Sequence, residues 1–265
     1  MINRELTKGV RPVDLIRIGR AFDGGYVVPR SVLSLCDAVV GLGVKDDWTF
    51  ETTASTHMHA CRCIHLYDPS TSLAWLCYRA IGVLPKLFVH SLLLDARRLQ
   101  NDVHRAMAPV RYMLLRRQGG THFQEWAGGE GGVKASETIR RAQAAGGSAV
   151  LLKVDIEGAE YGLFDDVNAW AGNVPLVVVE FHGLGENAGP FNSVLRDLTK
   201  CYTPVHIHGN SGAGQLACGF PCVPEITFVR SDLIAAATSR RSLHYPVAGV
   251  DQPSHRDQLE LAFEA

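Results

Sequence analysis

The chain has 265 residues, 46% hydrophobic and 20% charged, the balance of a globular protein with apolar material for one large domain or a domain with an appendage. A net charge of -1 removes the general attraction that binding to nucleic acid or an anionic membrane draws on, so neither partner is expected. No apolar run reaches the length of a bilayer crossing, Met1 to Gly9 lack the basic-then-apolar pattern of a secretory leader, and seven irregularly spaced cysteines read as reduced thiols of a cytoplasmic protein.

In chain order, Arg17-Ile18-Gly19 precedes Asp23-Gly24-Gly25-Tyr26, a tight-turn sequence. The same glycines would let residues 1–35 lie close over a ligand, with Arg17 placed to pair a carboxylate. Cys36 to Val40 runs into Gly41-Leu42-Gly43 as a buried strand stopped by a glycine turn, and Phe50 to Ala60 is the helix that follows. Cys63 to Asp68 is a second strand, closed by Pro69. Leu73 to Gln118 is helix-prone and too long for a crossover, so it reads as an insertion, with Arg111 to Arg117 on a solvated face. Thr121 to Ala127, Ala149 to Asp155 and Pro175 to His182 are the third to fifth strands, and Val205 to Ile207 and Glu225 to Arg230 supply two more. Residues 241–265, with Pro246 and Pro253, read as a surface extension of the domain spanning 36–240. Cys61/Cys63 and Cys218/Cys222 lack partners at zinc-site spacing and read as structural.

Unbroken hydrophobicity in the fourth and fifth strands means burial on both faces, as in a parallel sheet covered by helices. Strands alternating with helices over this length make a doubly wound α/β fold. In such sheets ligands bind beyond the carboxyl ends of the strands. Gly41 and Gly43 lie at the first such end, with Val44 next and Glu51 on the following helix. Asp68 ends the second strand, where a carboxylate can accept both hydrogen bonds of a ribose diol. A dinucleotide site needs a third glycine, but here Asp46 stands in its place and would repel a pyrophosphate. A cofactor with a sulfonium cation and no phosphate tolerates Asp46, Asp47 and Glu51, which favours S-adenosylmethionine over NAD.

Asp155 and Glu157 close the fourth strand at spacing two, which in a strand points both to one side. Glu160 reads as a helix N-terminal acid. If the strands are parallel, Asp155, Glu180, His182 and His208 converge on one rim. There they could deprotonate a hydroxyl or, through Asp155 and Glu180, hold a divalent ion such as Mg²⁺. His182 and Asp155 lead as candidate bases, with Glu157 and His208 next.

These residues resemble the FkbM-type methyltransferases. Lys153-Val154-Asp155-Ile156-Glu157-Gly158-Ala159-Glu160 matches the family's pattern at the fourth strand. Arg17-Ile18-Gly19, Asp23 to Tyr26, the turn from Gly41 to Glu51, His206-Ile207-His208-Gly209-Asn210 and Pro224 to Phe228 follow one of its branches in order. Val39 departs from the general class I turn, which carries an acid there, and Lys45 replaces a third glycine. The resemblance implies a class I, Rossmann-like fold whose mostly parallel seven-stranded sheet has an antiparallel last strand. It implies S-adenosylmethionine as cofactor and O-methylation of a sugar or other small-metabolite hydroxyl. Gly41, Gly43 and Asp68 would lie at that cofactor, and Asp155 and Glu157 would face cofactor or acceptor. A metal-dependent hydrolase and a non-catalytic nucleoside-binding module are the alternatives.

Overall fold

The computed structural model describes residues 1–93, 96–234, 240–255 and 257–265. Positions 94–95 of the expected insertion and 235–239, beside the expected domain boundary at 240, lie outside the described residues. After a short 3-10 turn (Arg4–Leu6) comes an antiparallel hairpin, β1 (Leu15–Gly19) and β2 (Gly25–Pro29), and a single turn of helix, α1 (Arg30–Leu33). Then come β3 (Ala38–Leu42), α2 (Thr49–Thr56) and β4 (Cys63–Tyr67). The insertion forms three helices, α3 (Leu73–Leu92), α4 (Ala96–Ala106) and α5 (Ala108–Arg117). β5 (Thr121–Phe123), α6 (Ala135–Ala144), β6 (Val150–Val154), α7 (Val167–Trp170), β7 (Leu176–Glu180) and α8 (Leu184–Leu198) continue the alternation. β8 (Tyr202–Gly209) and β9 (Pro224–Arg230) complete the main sheet, and β10 (His244–Tyr245) pairs with β11 (Phe263–Glu264) in the tail.

The main sheet has seven strands in the order β5-β4-β3-β6-β7-β9-β8. β9 alone runs against its neighbours, wedged between β7 and β8. Two apolar faces follow from the side-chain period of two. Val40, Leu152, Val177 and Phe228 point to one face, covered by α6, α7 and α8 through Ile139, Trp170 and Leu195. Val39, Leu151, Val178 and Val229 point to the other, covered by the hairpin, α1 and α2 through Val28, Leu33 and Phe50. The insertion seals a third cluster around Trp48, Leu66, Leu76 and Leu115. A mostly parallel sheet covered on both faces is compatible with a Rossmann-like fold.

Three expectations need correction. The tail is not a mere surface extension: Tyr245, Phe263 and Ala265 join the core, because β10 and β11 pack their apolar side chains beside Phe220. The third strand stops at Phe123 rather than reaching Ala127, and the first helix ends at Thr56 rather than Ala60.

Candidate functional site

A cavity of about 730 Å³ opens at the carboxyl ends of β3, β4, β6 and β7. The hairpin turn contributes Arg20, Asp23 and Gly24 to its wall, and the insertion contributes Arg79, His104 and Arg105. Alternation in β6 decides its floor. Leu151 faces the buried side beneath the hairpin, so Lys153, two residues on, faces it too, and Asp155 lies just beyond the strand end. Lys153 is buried, and its ammonium donates to Asp155 Oδ2 (3.0 Å) and lies 5.3 Å from the centre of the Tyr26 ring. Burial works against its charge, but Asp155 and Glu51 outweigh that and hold its pKa above the ordinary lysine value.

Gly41 sits opposite Lys153 in register. A Cβ there would overlap the Glu51 carboxylate, so the missing side chain is the space Glu51 occupies. Glu51 is buried, and neither of its carboxylate oxygens has a hydrogen-bond partner. Burial pushes its carboxyl up to about 7, against the opposing pull of Lys153. Gly43, at φ 78°, packs against the carbonyl of Asp155, which a Cβ would overlap.

Tyr26 joins the two carboxylates on the floor. Its hydroxyl lies 3.1 Å from Asp155 Oδ2 and 3.0 Å from Glu180 Oε2. One O–H donates one proton, so the second contact is satisfied when that carboxyl is itself protonated. Glu180 suits this: burial and the charges of Asp155 and Glu225 raise its pKa to about 8. Asn210 Nδ2 donates to Glu180 Oε1 (3.3 Å).

His182 follows β7 and is aimed by Glu160. The buried Glu160 accepts from the His182 backbone N–H and from Gly158 N–H (2.8 Å), so both its oxygens act as acceptors, and His182 Nδ1 lies 3.3 Å from Oε1. Nδ1 therefore carries the proton and Nε2 faces the cavity, 3.8 Å from Asp155 Oδ1, from Glu157 Oε2 and from Glu180 Oε1. Burial disfavours the imidazolium, but Glu160, Glu180 and Asp155 together raise the pKa of His182 to about 9. One ligand atom from each of Asp155, Glu180 and His182 falls within a sphere where these atoms are no more than 4.8 Å apart.

The remaining expected residues sit less centrally. Glu157 is not paired with Asp155 by strand alternation, because β6 ends at Val154. The chain turns there with Glu157 at φ 55° and Gly158 at φ 105°, which leaves Glu157 exposed at the rim. Val44 and Asp68 line the cavity. Asp68 already accepts from Lys45 N–H and Ser70 N–H, each at 2.8 Å, and so staples the two loops together. Arg17 and Gly25 do not line the cavity: the Arg17 guanidinium turns back to the carbonyl of Phe22 and packs on Gly25. Gly24 does line it. His208 is buried behind the floor with both ring nitrogens engaged, Nδ1 by Glu225 (3.0 Å) and Nε2 by Glu260 (3.1 Å). That leaves it no free nitrogen for a reacting group.

Sequence reasoning missed Tyr26, Lys153 and the aiming role of Glu160. The signal for Lys153 was present, since a cation inside an otherwise apolar strand requires a buried anion. Asp46 and Asp47 also serve a different purpose from the one expected. Arg79 pairs with Asp46 at 2.8 Å, and His104 (3.4 Å) and Arg111 (3.8 Å) reach Asp47, so these acids clamp the insertion over the glycine turn. No family model, curated protein or solved structure matches the chain.

Proposed function

We propose that the chain is a class I methyltransferase that uses S-adenosylmethionine to methylate a hydroxyl of a sugar or other small metabolite. The carrying observation is Glu51: a buried carboxylate at a strand-end cavity, with no partner for either oxygen, calls for a cationic group from a ligand. The antiparallel course of β9, last of the main-sheet strands, and the ordered motifs from Arg17 to Phe228 support the same reading. Bound S-adenosylmethionine supplies an electrophilic methyl group on a sulfonium, together with an ammonium. Glu51 is the acid placed to pair with that ammonium, and Asp68 retains acceptor capacity for a ribose hydroxyl.

At the acceptor end, His182 Nε2 is the group oriented to take a hydroxyl proton. At neutral pH the carboxylates around it keep the imidazole protonated, and a cation brought beside it favours the neutral, basic form. Asp155 Oδ2 is committed to Lys153 and Tyr26, which leaves Oδ1 facing His182. The Asp155, Glu180 and His182 atoms also fit a divalent ion, and two carboxylates with an imidazole suit Mn²⁺ or Zn²⁺ as readily as Mg²⁺. This set favours the second reading, a metal-dependent hydrolase.

Calorimetry with S-adenosylhomocysteine separates the two. The wild type binds it, and Asp68→Ala and Glu51→Gln weaken binding by about tenfold, the worth of a charged hydrogen bond. Absence of heat from the wild type, with hydrolytic activity that chelators abolish, overturns methyl transfer.

A further inference from the structure

The insertion is built inside out. Of the apolar side chains on α3, Leu76 and Val83 are buried, while Tyr78, Ile81, Leu84, Phe88, Val89 and Leu92 are exposed. At 3.6 residues per turn, the exposed large apolar residues from Leu73 to Leu92 cover an arc of roughly 160°, and the exposed Lys86 lies beyond its edge. A surface helix ordinarily turns such a face to the core. Exposed apolar residues continue on the neighbouring helices as Val103, Met107, Val110, Met113 and Leu114.

Charge segregates to the same segment. Residues 73–117 hold eight Lys and Arg against Asp95 and Asp102, a formal net +6 against -7 for the rest of a chain whose total is -1, although Arg79 and Arg111 are engaged by Asp46 and Asp47 outside the segment. Among the described residues of the segment the only acid, Asp102, is buried against His90 at 2.6 Å. Lys86, Arg105, Arg116 and Arg117 are exposed. The expectation of no membrane partner rested on the whole-chain sum, which conceals this polarity.

We propose that α3–α5 dock the protein on an anionic lipid surface, the helices lying in the headgroup plane without crossing it. Among the described residues no helix is long and apolar enough to span a bilayer, so the element fits lying on the surface. An aliphatic and aromatic face bordered by arginine and lysine matches that surface in both its apolar and its charged layers. A second copy of the chain is the poorer occupant, because apposing two such segments brings like charges together. The acidic remainder of the molecule is repelled from the same surface, which fixes the orientation. Arg105 and the exposed Trp126 line the cavity, so docking holds its mouth near headgroup level. Such a mouth suits an acceptor hydroxyl carried by a lipid or lipid-linked sugar; that clause rests on the proposed methyl transfer, and the docking does not.

The test is co-sedimentation of the full chain with phosphatidylcholine vesicles containing roughly 30% phosphatidylglycerol, and with phosphatidylcholine alone. The protein partitions to the anionic vesicles, far less to the neutral ones, and is released by salt. The double variants Ile81→Asp/Phe88→Asp and Lys86→Glu/Arg117→Glu each lower partitioning by about tenfold and leave the melting temperature within a degree or so of wild type. No partitioning by the wild type, or equal partitioning of both vesicle types, overturns the proposal. So does a dimer in light scattering that Ile81→Asp/Phe88→Asp converts to monomer, which makes the face a self-association surface. Calorimetry with S-adenosylhomocysteine on the same preparations keeps the readings apart: vesicle binding without that heat sinks methyl transfer and leaves docking standing, and the reverse result sinks docking alone.

Discussion

Glu51 shows what a buried acid costs a protein when its carboxylate lacks a hydrogen-bond partner and the nearby Lys153 offsets the burial only in part. Burial outweighs the pull of Lys153 and raises its carboxyl from 4.5 to about 7, so the native state binds a proton that the unfolded chain has released. Stability from this group is complete below about 4.5 and lost as pH rises through about 7. Replacing it with a neutral isostere removes that loss. Glu51→Gln is therefore expected to match or exceed wild-type stability at pH 8, by up to about 3 kcal/mol, with a smaller difference at pH 5. Urea unfolding at the two pH values measures this, and a variant less stable than wild type at pH 8 would contradict it. The same residue gives ligand binding a proton signature. A ligand ammonium favours the carboxylate, so S-adenosylhomocysteine releases a proton from the wild type at pH 6 and none from Glu51→Gln. Calorimetry in two buffers of different ionisation enthalpy reads that difference.

At the scale of elements, the β3 turn is a joint where four pieces of chain meet. Gly41 admits Glu51 from α2, Gly43 lies on the chain leaving β6, and Asp46 and Asp47 hold α3, α4 and α5. Burial works against the charge of Asp47, but hydrogen bonds from His104 and Thr49 hold its carboxyl well below the usual range. Gly43 and Gly146 allow conformational strain to be separated from packing. Both have positive φ, 78° and 96°, but a Cβ on Gly146 meets nothing within 4 Å, whereas one on Gly43 overlaps the Asp155 carbonyl. Gly146→Ala is expected to cost about 1 kcal/mol, the price of the left-handed backbone alone. Gly43→Ala is expected to cost at least about 2 kcal/mol more, because β6 must also give way. Paired denaturant titrations test this, and equal costs would show that the turn does not bear on Asp155. The glycine run was legible from sequence, but its purpose was not. Spacing reveals a turn, whereas the close approach of a chain more than 100 residues away appears only once the strands are paired.

For the whole molecule, alternating apolar runs made the seven strands and their parallel character readable, since burial on both faces leaves a local signature. The convergence of Asp155, Glu180 and His182 followed from strand ends alone. Three things were not local: where β6 stops, which removed Glu157 from the floor; the hairpin that carries Tyr26 onto it; and the tail that packs against the sheet. The tail contributes to the site from behind through His208, which lies between Glu225 of β9 and Glu260 of the tail. Burial works against the imidazolium, but these two carboxylates prevail and raise its pKa from 6.5 to about 10. Protonated His208 therefore pins the tail to the sheet. Because the folded state holds this proton more tightly than the unfolded chain, its stabilisation is complete below about 6.5 and lost as pH rises through about 10. His208→Gln should lower stability at pH 6 by about 3–5 kcal/mol, the usual result of removing one member of a buried charged set. The gap between wild type and variant should narrow steadily toward pH 10. Hydrogen exchange gives the change its location: at pH 6 the variant opens first at β10 and β11, while β3 and β6 keep their protection. A gap that stays constant from pH 6 to pH 10 would mean that His208 acts by shape rather than by charge, and that the tail is held by its apolar packing and its other polar contacts, such as His206 with Asp251.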